Sequence, residues 1–90
     1  MKQKEGFVLR QVCGEHVIVA EGLGVIDFGK LLSLNETAAW LWQEAERQGS
    51  FTEQSLAEAL CQEYDVSKED ALRDVTELIS NWKENGVIEL

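Results

Sequence analysis

At Asn35 the chain changes its period. Residues 7–34 are rich in Val, Ile, Leu and Gly, the composition of short strands and tight connections. From residue 36 onward, apolar side chains recur every three or four positions, the spacing of an amphipathic helix face. A single switch of that kind, strands before it and helices after it, limits the fold to an α+β arrangement in which a small sheet packs against helices. The 90 residues allow one such domain and bury too little surface for a second core. No Pro, repeat or low-complexity stretch interrupts them.

Within the first part, Phe7 to Cys13 and His16 to Ala20 flank Gly14-Glu15. Gly at the first central position of a two-residue loop predicts a type II′ hairpin, with Cys13 opposite His16, Val12 opposite Val17 and Leu9 opposite Ala20. Both faces of this hairpin carry apolar residues: Phe7, Leu9 and Ile18 on one, Val8, Val12, Val17 and Val19 on the other. Alternation therefore leaves the buried face open. A Gly-rich connection from Glu21 to Gly24 and the segment Val25 to Gly29 lead into a short third strand, Leu31 to Leu34.

Three helices are marked by their ends, at about 36–48, 53–63 and 68–85. Asn35 is an N-cap with Glu36 in the first turn, where a negative charge suits the helix dipole, and Gly49 stops the stripe. Thr52 caps the second helix, and Phe51 before it is placed to staple onto Leu56. Ser67 opens the third, with Asp70 three residues on, and Gly86 ends it. On the third helix, Ala71, Val75, Leu78 and Trp82 form the expected core stripe, flanked by Leu72 and Ile79 with Thr76 and Lys83 in line; the alternative is that Leu72 and Ile79 belong to the core as well. Trp40 and Trp42 cannot both face inward on one helix, so one of them is expected to be partly exposed. Val87-Ile88 is an apolar tail, docked or forming a small strand.

The residues that carry most chemistry do not converge. His16 is the lone histidine, beside a turn, and Cys13 and Cys61 fall on different elements outside any zinc spacing. The carboxylates are scattered rather than paired, and the glycines form no phosphate-binding loop. These observations point to no catalytic residue, no metal and no cofactor. No apolar run reaches the length of a membrane span and no signal sequence follows Met1, so a cytoplasmic protein without a membrane role is expected.

Charge is distributed as unevenly as period. Residues 1–35 carry four basic and four acidic side chains, whereas residues 36–90 carry 13 acidic against four basic ones and hold the whole net charge of −9. A small β-then-helix domain could be a DNA-reading winged helix, but its third helix would then offer cations to phosphates. This one presents Glu69, Asp70, Asp74, Glu77 and Glu84 against Lys68, Arg73 and Lys83, which excludes nucleic acid as a partner.

Protein or peptide binding remains, and here motifs fall in order. The run Leu34-Asn35-Glu36-Thr37-Ala38-Ala39-Trp40-Leu41-Trp42 resembles the LN-x-TA…W signature of PqqD-like proteins. Gly49 then Thr52, Tyr64-Asp65-Val66-Ser67, Asp74-Val75 and Gly86-Val87-Ile88 follow as further stations of that family, so the likeness runs from about Phe7 to Ile88. The stretch Glu21 to Lys30 departs from it, being longer than the usual connection. The resemblance implies a winged-helix-like α+β domain over residues 1–90, a three-stranded antiparallel sheet followed by three helices, also called a RiPP recognition element. It implies a non-enzymatic role: holding the leader segment of a ribosomally made precursor peptide and presenting it to a modifying enzyme, typically a radical SAM protein of the kind met in coenzyme PQQ biosynthesis.

Family geometry puts the leader beside the third strand, which implies pairing with Leu31, Leu32, Ser33 and Leu34. Side chains of the leader would then lie against Leu72, Thr76 and Ile79, with Arg73 or Lys83 meeting an acidic leader residue. An edge strand without Pro or a central charge suits strand addition on physical grounds. The same edge suits a homodimerising accessory module without a peptide client, the second reading. The charge distribution yields a first test: a random DNA or RNA duplex should show no retardation by this protein at physiological salt. Micromolar, salt-sensitive binding would contradict it.

Overall fold

The computed structural model describes the backbone of residues 1–22 and 25–90 and the side chains of all but 22–31. In chain order the elements are β1 (Lys2–Gln3), β2 (Phe7–Val12), β3 (Glu15–Gly22), β4 (Val25–Leu34), α1 (Glu36–Gln48), α2 (Glu53–Glu63), α3 (Lys68–Glu84) and β5 (Ile88–Glu89). β2, β3 and β4 make a three-stranded antiparallel sheet in that order, so the α+β class expected from the switch at Asn35 is the observed one. β1 and β5 pair separately, joining the two ends of the chain, with a Lys2–Glu89 ion pair at 3.2 Å alongside. The apolar tail at Val87-Ile88 thus ends in a small strand. Its partner β1, two residues long, carries no period that a sequence could show.

The hairpin differs from its expected register. Val12 pairs with Glu15, Leu9 with Ile18 and Phe7 with Ala20, so the turn is Cys13-Gly14 rather than Gly14-Glu15. Cys13 has φ 54° and Gly14 φ 80°, the two positive values of a type I′ turn, whose twist matches the strands. The turn type prevails by placing Gly at the second central position and forcing Cys13 into the left-handed region. Pairing slips by two residues, so each side chain keeps its face. Alternation left the buried face open; the helices cover the one bearing Phe7, Leu9, Ile18, Leu32 and Leu34. Val17 and Val19 are buried as well.

β4 is longer than the expected Leu31 to Leu34, and Glu21 and Gly22 belong to β3 rather than to a connection. Leu23 and Gly24 of that expected connection lie outside the described residues. Ile18 pairs with Leu32 and Ala20 with Asp27, so β4 spends five steps where β3 spends two. A bulge of that size hides the strand from period-two reading, and Gly29 within it is a residue type common at such irregularities.

The helix ends follow their chemistry. Asn35 accepts a bond from the Ala38 amide at 2.8 Å, and Thr52 and Ser55 exchange side chain-to-backbone bonds in a capping box. Ser67 accepts from the Asp70 amide. At the far end of α3, Gly86 (φ 69°) allows the Val87 amide to reach Trp82 O and its own amide to reach Lys83 O, a Schellman closure. Phe51 and Leu56 are both buried, as a hydrophobic staple requires.

The core lies between the sheet and the helices, and its largest members are Trp42, Trp82 and Phe51. Trp82 meets Trp42 edge-to-face at 5.1 Å between centroids and Phe51 at 6.3 Å. Trp40, the partly exposed tryptophan of the pair, instead stacks edge-on to Tyr64 at 5.8 Å. On α3 the buried positions are Ala71, Val75, Ile79 and Trp82. This corrects the expected stripe: Ile79 is core (1% exposed), while Leu78 is only half-buried and Leu72 is exposed. Both stripes satisfy helical periodicity, and the second is the one found with Trp82 packed against Trp42 and Phe51.

One charged group is buried among the described residues. Glu44 on α1 accepts bonds from Arg47 Nε and Nη2 and from Gln48 Nε2, while Gln48 Oε1 accepts from the Ser55 hydroxyl at 2.7 Å. The network ties the end of α1 to the start of α2. The Arg47 hydrogen bond holds the Glu44 carboxyl below its ordinary value of 4.5, against the opposing effect of burial.

Two tests follow from this packing. Ile79→Asp would bury an unpaired charge and should unfold the domain, whereas Leu72→Asp, at an exposed position, should leave thermal unfolding within about 0.5 kcal/mol of the parent. Circular dichroism distinguishes them, and a folded Ile79→Asp protein would contradict the observed rotation of α3. The second test concerns pH. Because the folded-state pKa of Glu44 lies below its unfolded value, its contribution is complete at neutral pH and is lost as pH falls from about 4.5 towards the folded pKa. The stability gap between the parent and Glu44→Gln should therefore narrow below that pH in denaturant titrations, and a gap independent of pH would refute the network's role.

Candidate functional site

β4 is one edge of the three-stranded sheet, so one side of its backbone has no strand partner among the described residues. Leu32 is half-buried, Ser33 is exposed and Leu34 is buried in the core. The strand ends at Asn35, which is also the N-cap of α1, and this residue sits between two hollows. One, about 530 Å³, lies at the hairpin end of the sheet, where Gln11, Gly14, Glu15 and His16 face Ser33, Leu34 and Glu36. The other, about 440 Å³, separates the start of α1 from α3.

This second hollow is the groove of the candidate site. Its α1 wall is Asn35, Thr37, Ala38 and Leu41, and its α3 wall is Asp74, Glu77, Leu78 and Asn81. Ala38, Leu41 and Leu78 make the floor apolar, and the polar groups ring it. Asp74, Leu78 and Asn81 stand at helix positions i, i+4 and i+7, which share one flank of α3. The amide oxygen of Asn81 accepts from Asn85 Nδ2 at 2.9 Å, which leaves the Asn81 amino group as a donor for the groove.

The expected site residues separate. Leu31 to Leu34 lie together on the edge strand. Ile79 points into the core and meets no surface. Leu72 lies on the opposite flank of α3, lining a hollow with Gln54, Ala57 and Glu58 of α2. The Thr76 hydroxyl bonds Glu53 of α2 at 3.3 Å. Arg73 pairs with Asp70, and Lys83 shares the Leu72 flank by its spacing. None of these five α3 residues lines the groove at Asn35. The α3 side chains that do line it are Asp74, Glu77, Leu78 and Asn81, and the signal for them was the i, i+4, i+7 spacing of Asp74, Leu78 and Asn81, masked by Leu72 and Leu78 offering equally apolar flanks.

His16 is half-buried, Cys61 is half-buried and Cys13 is exposed, each on a different element. Among the described residues no group of three His, Cys, Asp or Glu side chains is arranged to hold a metal, and no helix is long and apolar enough to cross a membrane.

Fold and site together define a class: a small antiparallel sheet with an open edge, three helices, and a groove where that edge gives way to the first helix. The chain belongs to the coenzyme PQQ synthesis protein D (PqqD) family, whose model matches residues 15–88. The LN-x-TA…W motif has a physical meaning here, since Leu34 closes the core end of β4, Asn35 caps α1, and Thr37 and Ala38 line the groove. Two solved structures share the fold over nearly their full lengths. TbiB1 in complex with the TbiA(β) leader peptide superposes with a TM-score of 0.75 at 19% identity, covering 99% of this chain and 95% of that one. Lasso peptide synthetase B1 complexed with the leader peptide gives 0.69 at 27% identity, covering 96% and 93%. A comparison with curated proteins finds none that matches the chain.

Proposed function

We propose that this protein binds the leader segment of a ribosomally synthesised precursor peptide as an added strand on the edge of β4 and presents it to a modifying enzyme, a radical SAM protein or another. The observation that carries the reading is a strand edge with no strand partner among the described residues, ending at an apolar-floored groove, in a chain of the PqqD family whose fold neighbours include lasso peptide synthetase B1 with its leader. The backbone of Leu31 to Leu34 supplies hydrogen bonds that tolerate sequence, and the groove at Asn35 supplies the side-chain pocket that does not. In this reading the protein is a cytoplasmic binding module rather than a catalyst, and the groove wall is Leu78 with Asp74 and Asn81 in place of Leu72, Thr76 and Ile79.

Pairing of two copies through the same edge is the competing arrangement. A formal charge of −9 on each copy works against it. A modifying enzyme that docks on the acidic helical half would do so through basic residues, with an on-rate that falls as salt rises.

Strand addition has a test of its own. N-methylation of the cognate leader removes one backbone donor at a time, and only alternate residues of an added strand point their donors at β4. Calorimetry should show losses of about 1–2 kcal/mol at every second position through the bound segment and little change between them. Uniform tolerance of N-methylation would rule out pairing with the edge.

A further inference from the structure

The groove's two walls differ in charge in a way the expected contacts did not anticipate. Its α3 wall presents Asp74 and Glu77, both exposed, and none of the residues lining the groove is basic. Among the described residues neither carboxylate belongs to an ion pair. The nearest cation in sequence, Arg73, is held by Asp70, and Lys83 stands on the opposite flank of the helix. Glu36, beside Asn35 in the neighbouring hollow, adds a third negative group on the same approach. Beside these charges the groove is lined by the apolar side chains of Ala38, Leu41 and Leu78.

We infer that the groove selects a leader carrying a Lys or Arg within a few residues of the apolar side chain that fills its floor, with Asp74 and Glu77 as the specificity-determining pair. This rests on the leader-binding reading and gives it a substrate class. An extended peptide carries alternate side chains on one face, so an apolar residue over Leu78 and a basic residue two positions away fall on the same side of it. The long cationic stem covers apolar surface while its head reaches the carboxylates at the rim. The amino group of Asn81 donates to a leader carbonyl one helical turn beyond Glu77, on the same wall. An acidic leader residue at this place would meet two like charges and no partner. The polarity is thus the reverse of the one that Arg73 and Lys83 would have imposed had they faced the groove.

The test is selection of a phage-displayed library of random peptides on the folded protein, followed by mapping of recovered peptides by backbone amide shifts of Leu31 to Leu34. Recovered peptides should be enriched in Lys or Arg at a fixed offset from an apolar residue. Asp74→Asn combined with Glu77→Gln, both at exposed positions, should keep the fold, weaken those peptides about 3- to 10-fold at low salt, and flatten their salt dependence. A peptide with the basic residue replaced by Met should bind the parent and the double variant alike. Peptides that perturb Leu31 to Leu34 but show neutral or acidic enrichment would overturn the inference while leaving strand addition standing. Failure of any peptide to perturb those amides would overturn both.

Discussion

With its indole set between the rings of Trp42 and Phe51, Trp82 leaves α3 one rotational setting against the rest of the domain. Three large aromatic groups meeting edge-to-face cannot be rotated past one another without opening voids that a close-packed interior does not tolerate. Once Trp82 is seated, Val75 and Ile79 follow it into the core a turn or two earlier, with Ala71 buried at the start of the same stripe. Everything α3 shows to a ligand is a consequence of that setting. Asp74, Leu78 and Asn81 turn towards the first helix, and Leu72 and Thr76 towards the second.

The sheet answers a different constraint. A three-stranded sheet always has two edges, and an edge is a row of unmet donors and acceptors. Here the β4 edge ends at a residue with two tasks: Asn35 terminates the strand and caps α1. The chain passes from sheet to helix within one residue there, and Asn35 also lines the groove between the start of α1 and α3. The family motif around Leu34 and Asn35 therefore encodes a junction, and the junction borders the space that a peptide could enter.

Stability elsewhere is reinforced at the seams. β1 and β5 bring the chain ends together, Gln3 bonds the Trp42 carbonyl at 2.7 Å, and Glu44 links α1 to the capping box of α2. None of these contacts faces the groove. The site is thus carried on elements braced from behind, with its charged rim left to solvent and to whatever occupies it.

Sequence alone determined what depends on neighbours in the chain. Caps at Asn35, Thr52 and Ser67, the stop at Gly86 and the acidic character of the helical half are local chemistry, and each is where its residue types require. Tertiary structure decided the rest. The hairpin turn at Cys13-Gly14 and the bulge in β4 depend on pairing between strands, which a run of Val and Ile leaves undetermined. The rotation of α3 depended on which of two equally periodic stripes packs better, Leu78 or Ile79 beside Val75, and that choice belongs to Trp42 and Phe51. A helix sequence specifies how wide its apolar face is, but only the partners it packs against specify which edge of that face remains in water.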